Sequence, residues 1–298
     1  MTDNTRRLVT VFGGTGFLGR EIVTGLARAG LDVRVAVRRP DLAPATAVAA
    51  DVRDEASVKR AVEGVSAVVN AVGLYVERGD ETFEAVHAQG AGTVAGHAAQ
   101  AGVARVIHVS GIGADPRSGS SYVRSRAKGE ALVREAFPGA TILRPSVLFG
   151  PGDAMFGALA AIARRAPVIP LFGRGETRLQ PVHVGDVAAA VVNSLDDPSA
   201  EGATYELGGP DIVTYRSLVD LVLKHLGKRR VLLPVPFPVW EVQASLLGVL
   251  PNPPLTRDQV TLMKDDNVVG PDALTLADLG IVPTPVEAIL PAIIGPAG

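Results

Sequence analysis

Through the first half of the chain, short apolar runs rich in β-branched residues alternate with longer alanine-rich stretches. LVTVFG (8–13), DVRVAV (32–37), ATAVAA (45–50), SAVVNAV (66–72), RVIHVS (105–110) and ATILRP (140–145) are apolar at successive positions, as strands covered on both faces are. Helical periodicity predicts helices between them at about 17–29, 56–63, 82–101 and 121–136. This alternation predicts an α/β fold with a parallel sheet and helices on both of its faces. The rhythm breaks after Pro145, where proline and glycine cluster in GPGD and APVIPLFGRGE; HVGDVAAAVVNSL (183–195) then reads as a helix returning to the first domain. From about 203 the pattern gives a strand, a turn and an amphipathic helix with Thr214 as its N-cap.

Composition narrows the chemistry. The 298 residues are 47% hydrophobic, enough to bury a sizeable core. Twenty-nine Lys and Arg against 31 Asp and Glu leave a net charge of −2, which argues against a nucleic-acid surface. The absence of cysteine removes disulfides, thiolate metal sites and thiol nucleophiles together. The histidines, at 87, 97, 108, 183 and 225, never pair at a close ligand spacing, so no metal is expected. Neither a signal core nor an apolar run long enough to span a bilayer is read, and a cytoplasmic protein is expected. The segment 231–251, VLLPVPFPVWEVQASLLGVLP, has almost no charge and is broken by prolines; it reads either as core of a small lobe or as an apolar surface for a membrane face or partner subunit.

GGTGFLGRE directly follows the first apolar run and opens a helix, with Gly13, Gly16 and Gly19 at three-residue spacing. Strand, glycine turn and helix in that order form a cradle for a dinucleotide pyrophosphate, which rests on the positive end of the helix; Thr15, Phe17 and Leu18 belong to the same loop. The fold class that follows is a Rossmann-type doubly wound parallel sheet with a smaller C-terminal α/β lobe. Residues 1–150 are expected to form the NADP-binding domain with 181–202 packing back on it, and 151–180 with 203–298 the lobe. The second run ends in Arg38 and Arg39 instead of a carboxylate, which favours the 2′-phosphate of NADP(H) over NAD(H), although solvated loop arginines would look the same. Asp51, followed by Val52, is placed to accept from an adenine amino group or to be an ordinary turn aspartate, and Ala71, Val72 and Gly73 are expected beside the nicotinamide ribose.

These residues resemble the extended and atypical branch of the short-chain dehydrogenase/reductase superfamily. SYVRSRAKGEALVREAFPGATILRPSVLFGPGD, RLQPVHVGDVAAAV, YELGGPDIVTYRSLVDLV and PPLTRDQVTLMKDDNVV extend the resemblance over nearly the whole chain to the family of nucleotide-binding accessory subunits of respiratory complex I and their bacterial relatives. The resemblance implies a bound nicotinamide dinucleotide, a membrane-associated respiratory complex as partner, a position peripheral to the inner face of the membrane, and Pro145, Ser146 and Val147 packed on the nicotinamide.

Active members of the superfamily pair a tyrosine with a lysine four residues later and a serine on the preceding strand end. Tyr122 fits the first role, but the residue one turn on is Arg126; Lys128, six residues on, points elsewhere around the helix. Ser110 ends the fifth run, while the position two residues further, where the extended enzymes carry their hydroxyl, is Ile112. Ser120 and Ser121 suit a cap, and His183 and Asp186 suit bracing of a helix. Two functions stay open: an NADP(H)-stabilised accessory or assembly module of a respiratory or quinone-related membrane complex with weak or no turnover, and an NADP-dependent oxidoreductase or epimerase acting on a small or lipid-like substrate, with Tyr122 as acid/base and Arg126 as its charged partner.

Overall fold

The computed structural model describes residues 7–40, 46–248, 250, 253 and 255–296. Up to Pro145 the chain runs β1 (Leu8–Phe12), α1 (Phe17–Arg28), β2 (Asp32–Val37), β3 (Ala47–Ala49), α2 (Glu55–Val62), β4 (Ala67–Asn70), α3 (Gly90–Gln100), β5 (Arg105–Val109), α4 (Ser121–Ala136) and β6 (Thr141–Pro145). It continues through β7 (Leu148–Phe149), α5 (Ala154–Arg165), β8 (Val168–Phe172), β9 (Arg178–Leu179), β10 (Val182–His183), α6 (Val184–Asp196), β11 (Thr204–Leu207), β12 (Val213–Thr214) and α7 (Tyr215–His225). The last elements are β13 (Val231–Val235), α8 (Phe237–Leu247), α9 (Arg257–Leu262) and α10 (Val286–Ile294). Ala45, the first residue of the third apolar run, lies outside the described residues.

The chain divides into two units: residues 1–145, 184–207 and 271–282 form the first, and residues 146–183, 208–270 and 283–298 the second. In the first, a seven-stranded parallel sheet has the order β11-β6-β5-β4-β1-β2-β3. Its central strands are mostly apolar, with Thr10, Asn70 and His108 among the buried exceptions, because both faces are covered: α2, α3 and α4 lie on one, and α1 and α6 pack together on the other. The chain order of the strands reverses between β1 and β4, so the ends of these strands flank the crevice where open α/β sheets take their ligands. Among the described residues no helix is long and apolar enough to cross a membrane.

The lobe boundary differs from the expected one. Thr204–Leu207 pairs in parallel with Ile142–Pro145 and so extends the large sheet, and the Glu206 N–H donates to the Leu274 carbonyl at 2.8 Å, tying 271–282 to the same unit. TYEL alternates half-buried and buried positions, the signature of an edge strand, which a purely local reading cannot assign to either sheet. In the second unit, α5, α7 and α10 pack around Phe149, Phe156, Leu171 and Leu218. Thr214 caps α7 as its position indicates, accepting from the Ser217 N–H at 3.1 Å.

Candidate functional site

The site in the first unit begins where β1 turns into α1. Gly13 has φ of +79°, a left-handed conformation that side chains disfavour, and its carbonyl accepts from the Gly16 N–H at 2.9 Å. A Cβ on Gly19 would lie 2.0 Å from the Gly13 oxygen, so helix and loop touch as closely as backbone allows. Gly16 is the N-cap and supplies no side chain to the first turn, which also has no acidic residue. Thr15 and Gly16 are exposed, Phe17 half-buried and Leu18 buried. The helix thus presents first-turn N–H groups and the positive end of its dipole without an internal carboxylate or hydroxyl cap.

From this loop the backbone contacts run inward. A Cβ on Gly13 would meet the Ala71 carbonyl oxygen at 2.7 Å, which puts the end of β4 against the turn. The Val72 N–H is held by the Asn70 side chain at 3.2 Å, and a Cβ on Gly73 would come within 3.2 Å of the Arg126 guanidinium. Arg126 is 6% exposed and donates through Nη1 to the Val109 carbonyl at 3.0 Å; its Nε has no partner, and among the described residues no carboxylate pairs with it. Ser110 is buried with an unpartnered hydroxyl, and so is His108 with both ring nitrogens unpartnered. A buried charge and two orphaned polar groups leave hydrogen-bonding capacity unused around the carboxyl end of β5.

Tyr122 stands in a cage of rings. It stacks on Tyr75 with centroids 5.9 Å apart and planes 17° from parallel, and meets Phe83 and His87 edge-on at 5.5 and 5.3 Å. The Arg126 Cζ lies 5.3 Å from the centre of the Tyr122 ring, a cation–π distance. The Tyr122 phenol beside it is the first cause that pushes the Tyr75 hydroxyl above the usual tyrosine range. Beneath the ring, His87 Nε2 accepts from the Leu74 N–H at 2.9 Å; this leaves the proton on Nδ1, 3.0 Å from the Ser125 hydroxyl, which donates to the Tyr122 carbonyl at 2.7 Å. Burial, followed by the Arg126 charge, pushes His87 down to about 2 and His108 to about 3. Both imidazoles are neutral.

Arg38 and Arg39 are exposed after β2, and Arg38 forms an ion pair with Glu81. Both oxygens of Asp51 accept from Arg53, Oδ1 at 3.0 Å from Nε and Oδ2 at 2.7 Å from Nη2, which braces the carboxylate in its turn. The Arg53 hydrogen bonds are the first cause holding Asp51 below the usual carboxylate range. Val52 is buried. Lys128 pairs with Glu84, and the Ser120 hydroxyl caps α4. The Pro145 carbonyl accepts from the Ile112 N–H at 3.1 Å. Ser146 and Val147 belong to the second unit, where Asn267 holds both: the Ser146 hydroxyl lies 2.6 Å and the Val147 N–H 3.2 Å from its Oδ1.

Sequence reading missed Tyr75, Phe83, His87, His108 and Asn267. The segment 84–89 is a π-helical turn, which shifts the helical period read over 82–101 and turns His87 inward. Phe83 and His87, four residues apart with centroids at 5.5 Å, were the available signal.

Comparison with known proteins puts this geometry among relatives. The model of the NAD dependent epimerase/dehydratase family matches residues 9–208. Of curated proteins, the chain is similar to NADH dehydrogenase [ubiquinone] 1 alpha subcomplex subunit 9, mitochondrial, of Arabidopsis thaliana (35% identical, covering 93% of this chain and 74% of that protein) and of Mus musculus (36%, 94% and 78%). It is also similar to a ceramide reductase of Caulobacter vibrioides, 37% identical over 64% of this chain and 62% of that protein. Among solved structures, MoeE5 in complex with UDP-glucose and NAD aligns with a TM-score of 0.73 at 20% identity, over 96% of this chain and 97% of that one, a likeness of fold.

Proposed function

We propose that this chain, which belongs to the NAD dependent epimerase/dehydratase family, holds NADP(H) as a stabilising ligand and serves as an accessory or assembly module of a respiratory or quinone-linked membrane complex, with weak or no turnover. Its location on this reading is cytoplasmic and peripheral to the inner face of the membrane. The residues fit a nicotinamide dinucleotide. The uncapped first turn of α1 and the close glycine packing suit a pyrophosphate. The buried Arg126 Nε and Ser110 hydroxyl, which lack protein partners, suit ribose hydroxyls or a carboxamide. When bound, such a cofactor supplies hydride chemistry. Arg38 would exchange Glu81 for a 2′-phosphate, while Asp51 keeps its turn.

The observation that carries the low-turnover reading is Arg126 itself. Its guanidinium supplies a fixed positive charge beside Tyr122, but one Nη is committed to Val109, and a guanidinium does not release a proton to a relay as an ammonium can. Residue 112 offers no hydroxyl to polarise a carbonyl. The similarity to the plant and mouse respiratory subunits supports the accessory role.

A second reading, an active NADP-dependent oxidoreductase or epimerase on a small or lipid-like substrate, is favoured by the caged Tyr122 and by the similarity to the ceramide reductase. One experiment separates the two. Nucleotide released from the purified protein is identified by mass spectrometry, and NADPH oxidation is followed against a panel of ketones, aldehydes and ceramide precursors. The accessory reading expects co-purified NADP(H) and no oxidation above background; turnover that falls by orders of magnitude in Tyr122→Phe would overturn it in favour of the enzyme.

A further inference from the structure

We propose that the outer face of the β8–β13 pair, together with the outer stripe of α8, docks directly on an anionic lipid surface. The two strands run parallel with Val168 opposite Val231 and Pro170 opposite Leu233. The alternate positions Ile169 and Leu171 are 1% and 0% exposed, so the facing set points outward, and Val231 and Leu233 are 63% and 50% exposed. β13 enters α8 through Pro236. That helix buries Trp240 and Ala244, one turn apart, against Val260, and leaves Val239, Val242 and Leu246 uncovered, the last 71% exposed. β8 and α8 bury their other side, while Leu232 of β13 is half-buried and Pro234 exposed, and a face this apolar is built for a nonaqueous neighbour.

Charge identifies that neighbour. Arg164 and Arg165 end α5 just before β8; Lys228, Arg229 and Arg230 stand just before β13. Because the strands are parallel and in register, both basic segments arrive at the same end of the apolar face. The Arg230 Nε donates to the Ala163 carbonyl at 2.9 Å and the Val231 N–H to the Pro167 carbonyl at 3.1 Å, which hold the segments together. Among the described residues none of these cations pairs with a carboxylate, and no Asp or Glu occurs in 154–175 or 221–240. Cations at one rim of an apolar face match the boundary of an anionic bilayer, where aliphatic side chains enter the acyl region and guanidinium and ammonium groups stay with the phosphates. The inference does not rest on the accessory reading, because lipid alone is the ligand.

The full chain is sedimented with vesicles of equimolar phosphatidylcholine and phosphatidylglycerol, and with phosphatidylcholine alone. Binding to the mixed vesicles only is expected. Lys228→Glu with Arg229→Glu should weaken it roughly 25-fold or more, and Val242→Ser with Leu246→Ser about tenfold or more, the circular dichroism of both variants matching the parent. Absence of binding, equal binding to both vesicles, or variants that bind like the parent would overturn the proposal. So would a concentration-dependent dimer in sedimentation velocity that the Val242→Ser and Leu246→Ser pair abolishes, which would assign the face to self-association.

Discussion

Arg126 reaches across from α4 to donate to the Val109 carbonyl at 3.0 Å while its guanidinium carbon sits 5.3 Å from the centre of the Tyr122 ring. One side chain therefore joins the end of β5 to the phenol, and does so from a buried position without a counter-charge among the described residues. Arg126→Met removes the charge and leaves the Val109 carbonyl unpaired. NADPH affinity, read by fluorescence titration, should fall about tenfold or more, as for a lost hydrogen bond to a charged group. Arg126→Lys should keep the affinity within a few-fold. Equal losses in both variants would mean that shape and not charge matters at this position.

The glycine loop gives a contrast of sites. Gly19→Ala would force a Cβ to 2.0 Å from the Gly13 oxygen, whereas Gly16→Ala would bring one only to 3.2 Å of the same atom. The first should destabilise the protein by about 1–3 kcal/mol and abolish nucleotide binding, the second should be tolerated in stability. Urea unfolding of both variants, with and without NADPH, is the measurement.

On the proposed function Arg38 must leave its ion pair with Glu81 to meet a 2′-phosphate. Glu81→Gln frees Arg38 and should tighten NADPH binding by about threefold with no effect on NADH, in the range of an exposed ion pair. Arg38→Asp should weaken NADPH far more than NADH. If both cofactors respond equally to Arg38→Asp, the phosphate is read elsewhere.

The two buried histidines set an acid dependence. Their folded-state values, about 2 for His87 and about 3 for His108, lie below the ordinary imidazole value, so the unfolded chain binds the extra protons. Stability from these groups is therefore complete above about pH 6.5 and declines as pH falls, each contributing at most about 1.4 kcal/mol per pH unit. Between about pH 6.5 and 5, where most carboxylates remain ionised, His108→Phe should flatten the slope of unfolding free energy against pH. An unchanged slope would show that His108 takes up its proton in the native protein as it does in the unfolded chain.

Asn267 fixes the segment after β6 within the second unit by its contacts with Ser146 and Val147. Asn267→Ala leaves the buried Ser146 hydroxyl only the backbone carbonyl of residue 267, at 3.1 Å, and the Val147 N–H without its side-chain acceptor, and should cost about 1–3 kcal/mol in chemical denaturation.

What could be read from the sequence is what short range decides. β2 and α4 begin and end where the apolar runs and the periodicity place them, because strand covering and helix faces write themselves into consecutive residues. The glycine turn and the substitution at Arg126 were legible for the same reason: both are matters of spacing within one loop or one helical turn. His87 was not, since a π turn breaks the period that would have oriented it. Nor was Asn267, whose partner is 121 residues away, or the ion pair from Arg38 to Glu81 across 43 residues. Those depend on which segments the sheet order brings together.

The chain changes units after Pro145, before Val184, after Leu207, before Pro271 and after Val282. Neither half can thus be obtained by cutting the gene at one point: a fragment ending at Pro145 would lose the outermost strand of the large sheet and the helix packed on α1. Loss-of-function lesions late in the chain, even a premature stop near residue 270, should strip 271–282 from the nucleotide-binding half and be felt there as well as in the half where they fall.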